Sequence, residues 1–336
     1  MGAGDHSREL LKDILRDVSR SFYLTLRAIP APLRKPIGIA YLLARATDTI
    51  ADTEAFDAPT RLLKLDHLRD CILSTDPPPF KEEAFSSKQT TAGESTLLRR
   101  VNETLAVFRE LSPEDQGMIK AVLETITSGQ ELDLRRFQGA SKTNVMALEW
   151  EEQLDDYAYR VAGCVGEFWT RICARHLWSN KDVEIDVLIE DGIRFGKGLQ
   201  YVNILRDIPA DIAQGRCYIP LELLNKYGLT PRDLAIPSYE KRFRPVYDRL
   251  LAKATEHLEI GWRYTTHLPA SSPRLKLACS WPVLIGKSTI GQLESRAVLD
   301  PENRIKISRT EVKKILLATI LLYPFGSLWK GLWNRV

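Results

Sequence analysis

Tyr41-Leu42-Leu43-Ala44-Arg45-Ala46-Thr47-Asp48-Thr49-Ile50-Ala51-Asp52 has the pattern of a helix whose charged residues keep to one stripe. Asp48 and Asp52 stand four residues apart and so lie one above the other on a helix face, with Tyr41 and Arg45 upstream on the same stripe. Leu42, Leu43, Ala44, Ala46 and Ile50 between them are apolar or small, which predicts a mainly buried helix. Like charges at this spacing repel one another and weaken the helix unless positive charge sits beside them. A set of oxygen ligands suits Mg²⁺, which keeps several waters and borrows oxygens from a substrate phosphate. Taken alone, such a pair is also what an ordinary solvated helix face looks like.

The same logic recurs downstream. Gln200, Asn203, Asp207 and Asp211 fall at spacings of three and four within an apolar helical stretch, with Arg206 adjacent. Two acidic helices facing one cavity would hold divalent ions, and those ions would clamp a diphosphate and draw off its charge as it leaves. Arg45, Arg206 and Arg216 are suited to bidentate contacts with phosphate oxygens. A competing account makes Arg45 and Arg206 salt-bridge partners of the aspartates, forming a polar seam that only fixes helix register.

In a third stretch, Tyr157-Ala158-Tyr159-Arg160-Val161-Ala162-Gly163-Cys164-Val165-Gly166, glycines stand inside a helical pattern. Each weakens a helix by roughly 1 kcal/mol relative to alanine, so something is expected to approach the backbone there. An apolar guest chain and a close helix neighbour satisfy that demand equally well. Tyr157 and Tyr159 are either site residues or core aromatics with satisfied hydroxyls.

Three- and four-residue apolar spacing also marks Asp5 to Val18, Leu33 to Thr53, Thr60 to Leu73, Ser95 to Glu110, Pro113 to Arg136, Leu148 to Leu177, Val183 to Asp211, Arg242 to His267 and Leu275 to Ser295. The fold class is therefore all-α. Ser112-Pro113-Glu114-Asp115 supplies an N-cap, a proline at the first helical position and acids in the first turn. The Pro- and Ser-rich residues 76–95 are expected to be a mobile loop. One helical domain over 1–310 is expected, followed by a hydrophobic tail over 311–336.

In that tail Ile315 to Leu322 is almost wholly apolar. Phe325, Leu328, Trp329, Leu332 and Trp333 follow, with Lys313, Lys314, Lys330 and Arg335 at the flanks. Pro324 and Gly326 interrupt the run short of the roughly 20 residues a spanning helix needs, so a membrane-surface anchor is expected, with a terminal core helix as the alternative. Met1 to Arg20 is too charged for a secretory signal, which points to the cytoplasmic face of a membrane. Lys and Arg number 47 against 44 Asp and Glu, a net charge of only +3, so no nucleic-acid partner is expected. The five cysteines show neither CxxC spacing nor pairing with histidine, which predicts free thiols and no zinc site.

These motifs, in this order, resemble the squalene/phytoene synthases. The resemblance rests on the Asp48 to Asp52 and Tyr157 to Gly166 segments, on Gln200-x-x-Asn203-Ile204-Leu205-Arg206-Asp207-x-x-x-Asp211 with Gly215-Arg216-Cys217-Tyr218-Ile219-Pro220, and on Ser19-Arg20-Ser21-Phe22. It implies an α-helical isoprenoid-synthase fold with Mg²⁺ held by Asp48, Asp52, Asp207 and Asp211. It further implies that two prenyl diphosphates join head to head through a cyclopropyl (presqualene) diphosphate. Tyr157 would steer the cation. Ser19, Ser21, Phe22, Tyr41, Arg45, Val161, Gly163, Gln200, Asn203, Arg206 and Arg216 would bind substrate. The Tyr157 to Gly166 pattern and the tail are similar to the squalene type, implying farnesyl diphosphate as substrate and NADPH as reductant. Arg160, standing where several squalene synthases carry an aromatic residue, keeps phytoene or dehydrosqualene formation open, with geranylgeranyl diphosphate as the longer substrate. A monomer is expected. A non-catalytic helical prenyl-binding protein or scaffold is the alternative from another class. No Gly-x-Gly-x-x-Gly element follows a strand, so a nicotinamide site of the Rossmann kind is not expected.

Overall fold

A computed structural model describes residues 13–19, 22–178, 183–302 and 305–336. Among them the fold is all-α, with β structure limited to a two-residue parallel pair, β1 (Met146–Ala147) beside β2 (Arg216–Cys217), and one isolated bridge. The chain forms two compact units, Met1–Arg135 with Phe168–Val183, and Arg136–Glu167 with Glu184–Val336.

The first unit is built around α1 (Ala31–Ala51). Leu33, Ile37, Ile39, Leu42, Leu43, Ala46 and Ile50 are all at most 3% exposed, so this helix is the apolar centre that its sequence predicts. Around it lie α2 (Ala58–Leu73), α3 (Ala92–Arg99) and α4 (Val101–Arg109). Asp57 caps α2 by accepting from Thr60 N at 3.0 Å. Ser112 likewise accepts from Asp115 N at the start of α5 (Pro113–Arg136), as its sequence predicts.

Two expectations are revised here. Ser95 to Glu110 is not one helix but α3 and α4, divided at Arg100. Beside that break Asn102 grips the backbone N and O of Phe80 at 2.9 Å each, so its amide serves an incoming strand of chain. The stretch 76–95, expected as a loop, carries a short helix (Glu83–Ser86) and the start of α3. Phe80 and Phe85 within it are buried, Phe85 stacks on Phe56 at 4.3 Å, and Gln89 Nε2 donates to Thr53 Oγ1 at 2.9 Å. Of the expected helix Asp5 to Val18, residues before 13 lie outside the described residues, and Leu15–Ser19 is helical.

The second unit packs α7 (Ile185–Ala213) against α8 (Glu240–His267) and α9 (Pro273–Ser295), with α6 (Glu151–Ala158) alongside α7. The expected long helix from Leu148 to Leu177 is interrupted by π-helical turns at Tyr159–Gly163 and Ala174–Trp178. At the first of these, glycine serves helix packing. A Cβ on Gly166 would lie 1.9 Å from the Gly192 carbonyl oxygen, and one on Gly196 would lie 2.2 Å from that of Ala162. All five cysteines are buried and none is joined in a disulfide.

The tail begins in α10 (Arg309–Leu322), which packs on α9. Trp281 Nε1 donates to Thr319 Oγ1 at 2.9 Å, Ser288 donates to Glu311, and Trp262 donates to the Lys330 carbonyl at 3.0 Å and rests against Trp329. Its other side, Leu317, Ile320, Leu321, Phe325 and Leu328, is exposed. No helix among the described residues is long and apolar enough to cross a membrane.

Candidate active site

The first aspartate pair lies at the C-terminal end of α1. Asp48 is half-exposed and Asp52 exposed, while the leucines on the opposite face are buried, so the polar stripe runs along an otherwise apolar helix. Arg45, one turn upstream, donates through Nη1 to Asp48 and through Nη2 to Glu94 at 2.5 Å. One guanidinium is thus shared between two carboxylates. Displacement of water from around Asp48 and the charge of Asp52 push its pKa up to about 6, against the pull of Arg45. A carboxylate that shares its arginine and is repelled by a neighbouring carboxylate is suited to binding a cation. Tyr41, on the same stripe, donates its hydroxyl to the Val18 carbonyl at 3.3 Å. Ser19 is buried and donates to the Leu15 carbonyl. Phe22 opens the helix Phe22–Ala28, and Ser21 lies outside the described residues.

The second pair lies near the end of α7, in the other unit, with Pro209 between the two aspartates. Proline has no N–H to give the Leu205 carbonyl one turn back, and the buried Tyr247 hydroxyl donates to that carbonyl instead, at 3.3 Å. Arg206 grips Asp207 with two nitrogens, Nε to Oδ1 at 2.9 Å and Nη2 to Oδ2 at 2.5 Å. Asp211 and Arg216 line one shallow cleft together with Ile208 and Tyr218. On the same stripe Gln200 is half-buried and Asn203 exposed. The contacts expected if Arg45 and Arg206 were register-fixing partners are therefore present.

The short β pairing sets the surroundings of Tyr157. Gly215 takes a φ of +82°, where a Cβ would strike Ser141, and Met146 N donates to its carbonyl at 2.9 Å. This brings Tyr218 onto Tyr157, with ring centroids 4.8 Å apart, planes inclined by 22° and hydroxyl oxygens 3.4 Å apart. Phe137 meets the edge of Tyr218 at 5.3 Å. α6, which carries Tyr157, is anchored by Lys197 to Asp155 at 2.5 Å and by Lys253 to Glu151 at 3.3 Å. Val161 and Gly163 lie in the π-helical turn that follows.

The carboxylates present fit Mg²⁺ only in a shared sense. Among the described residues no three His, Cys, Asp or Glu side chains converge to hold an ion by themselves. Each aspartate pair offers oxygen ligands at a spot that needs phosphate oxygens to complete a shell, and Mg²⁺ is commonly bound that way. Two neighbours escaped the sequence argument. Glu94 had a signal in Thr91-x-x-Glu94, the spacing of a helix-capping box. Tyr218 stood inside the Gly215 to Pro220 motif, but no local rule connects it to Tyr157 across 61 residues.

Over residues 15–311 the sequence matches the squalene/phytoene synthase family, and the chain belongs to that family. It is 26% identical to squalene synthase ERG9 of Saccharomyces cerevisiae over 73% of this chain and 53% of that one. It is 28% identical to the presqualene diphosphate synthase of Rhodopseudomonas palustris over 88% and 91% of the two chains. A bifunctional lycopene cyclase/phytoene synthase of Phaeosphaeria nodorum is 30% identical over 71% of this chain and 38% of its own. The chain thus spans about half the length of the yeast relative. Among solved structures, a ligand complex of TcSQS superposes with a TM-score of 0.77 at 22% identity, covering 94% and 86% of the two chains. The squalene synthase HpnC of Alicyclobacillus acidocaldarius superposes with a TM-score of 0.60 at 20% identity, covering 87% and 97%. These likenesses establish the all-α isoprenoid-synthase fold.

Proposed function

We propose that the protein condenses two molecules of farnesyl diphosphate head to head through presqualene diphosphate and reduces that product to squalene with NADPH. The observation that carries this reading is the pair of i,i+4 aspartate stripes, each adjoined by an arginine, in a chain of the squalene/phytoene synthase family. Asp48, Asp52, Asp207 and Asp211 would hold Mg²⁺, which when bound supplies the positive charge that binds a diphosphate and favours its departure. Arg45, Arg206 and Arg216 present guanidinium N–H groups to diphosphate oxygens. When the allylic carbon–oxygen bond breaks, its electron pair leaves with the diphosphate, the double bond of the second prenyl chain attacks the cation, and loss of a proton from an adjacent carbon leaves the electron pair that closes the cyclopropane ring. The stacked Tyr157 and Tyr218 offer aromatic faces and hydroxyl oxygens to a passing carbocation without a full negative charge that would capture it.

Arg160 supports a second reading, formation of phytoene or dehydrosqualene by proton loss. It is paired with Asp156 at 2.9 Å and stands where several squalene synthases carry an aromatic residue. Incubation with farnesyl diphosphate and Mg²⁺, with and without NADPH, separates the two. Squalene is expected only with NADPH, and the cyclopropyl diphosphate or its alcohols without it. A dehydrogenated C30 hydrocarbon indifferent to NADPH, or reaction only with geranylgeranyl diphosphate, overturns the squalene reading. A scaffold would release no diphosphate at all.

The tail is part of the same proposal. One side of α10 and the residues after it packs on the second unit, while Leu317, Ile320, Leu321, Phe325 and Leu328 face outward with Lys313 and Lys314 nearby. That arrangement suits a helix lying on an anionic bilayer surface. Leu321→Glu is expected to release the protein from anionic vesicles in a flotation assay with its melting temperature unchanged. Undiminished flotation of that variant would contradict the assignment.

A further inference from the structure

Glu94 is absent from both aspartate motifs, yet it takes one of the two hydrogen-bonding ends of Arg45. The two partners of that guanidinium are held very differently. The Glu94 side chain is 19% exposed and fixed from its own side. Its Oε2 accepts from Thr91 Oγ1 at 2.7 Å, and the same hydroxyl oxygen accepts from Glu94 N at 3.2 Å. The helix it starts is seated, since a Cβ on Gly93 would come within 3.3 Å of the Asp17 carbonyl oxygen, and Ser95 donates to the Ser86 carbonyl at 2.8 Å. Asp48, by contrast, is 42% exposed and repelled by Asp52. Arg45 Nε is buried with no hydrogen-bond partner, so the guanidinium is incompletely satisfied as it stands.

We propose that Glu94 is a positioning residue for diphosphate binding: it holds Arg45 by Nη2, so that Nη1, paired here with Asp48, is the end that turns to a diphosphate oxygen. The proposal rests on the assignment of Arg45 as a diphosphate ligand. Fixing one end of a long side chain removes much of the rotamer entropy that binding would otherwise cost. A fixed carboxylate partner is the economical way to do so, because the fork geometry of arginine satisfies two anions at once.

Glu94→Gln is the variant of choice, because glutamine keeps the size and the helix-start role at this position while removing the charge. With Mg²⁺ and inorganic pyrophosphate as the probe, calorimetry is expected to show binding weakened about tenfold. KM for the prenyl diphosphate should rise in parallel while kcat and the melting temperature stay near wild type, and Glu94→Asp should recover part of the loss. In the metal-free protein the Arg45 Nε–H signal in ¹⁵N spectra should broaden or vanish in Glu94→Gln. Unchanged pyrophosphate affinity and an unchanged Arg45 signal in Glu94→Gln, beside abolished binding in Arg45→Gln, would overturn the role of Glu94 alone. If Arg45→Gln also binds pyrophosphate normally, the assignment of Arg45 fails and this inference with it. A loss in Glu94→Gln that merely tracks a lowered melting temperature would mark Glu94 as structural and refute the proposal.

Discussion

The two aspartate pairs share one spacing and differ in their electrostatics. On α1 a single guanidinium, Arg45, is shared between two carboxylates, Asp48 and Glu94, and Asp52 repels Asp48 from one turn on. On α7, Arg206 already neutralises Asp207 through two bonds, and a second arginine, Arg216, lines the cleft of Asp211. The α1 arginine divides its two ends between two carboxylates, whereas the α7 arginine gives both to one. The comparison teaches that an i,i+4 aspartate motif does not define an electrostatic site by itself, since the charges that other residues bring to it decide its appetite for cations.

Asparagine substitutions should break the symmetry most visibly. Asp48→Asn and Asp207→Asn are each expected to lower turnover on the order of a hundredfold or more with helicity intact by circular dichroism. Only Asp48→Asn should also raise the Mg²⁺ concentration needed for half-maximal rate by about tenfold. Equal shifts in both variants would erase the distinction drawn between the helices.

A smaller effect follows from protonation. Asp48 has its folded-state pKa raised to about 6 from an ordinary 3.8. Its proton is therefore retained by the native, metal-free chain in that window, and this group adds stability as the pH falls from above 6 toward 4. The same proton competes with a cation, so the apparent affinity for Mg²⁺ should fall by up to about tenfold for each pH unit below 6. Calorimetric titrations at pH 5 and pH 7 measure it, and equal affinities at both would remove Asp48 from the ligand set.

The smallest effect concerns the backbone beneath the second pair. Tyr247→Phe deprives the Leu205 carbonyl of the donor that stands in for Pro209, at a cost of about 1 kcal/mol in urea unfolding. No loss of stability would mean that this bond contributes nothing to holding the α7 backbone.

Much of this was legible in the chain itself. Asp48, Asp52, Asp207 and Asp211 stood out because a helix converts a spacing of four into a shared face, and the apolar residues around them announced burial. Helix periodicity likewise foretold α1, α7, α8 and α9. Contacts that close across sequence were not legible. Glu94 meets Arg45 over 49 positions and Tyr218 meets Tyr157 over 61, and no period encodes such distances. The π-helical turn at Tyr159–Gly163 escaped for a different reason, because an extra residue in one turn leaves the apolar pattern nearly unchanged. The glycine signal there was sound, but only coordinates could show that Gly166 meets the Gly192 backbone.

The central claim is that these carboxylates run a metal-dependent head-to-head condensation. The most direct measurement incubates the full chain with farnesyl diphosphate, without NADPH, in Mg²⁺ or in excess EDTA, and follows released pyrophosphate together with C30 products by mass. A C30 cyclopropyl diphosphate formed with one pyrophosphate released per product, in Mg²⁺ only, is the predicted result. Pyrophosphate release undiminished by EDTA, or no C30 product under either condition, would contradict it.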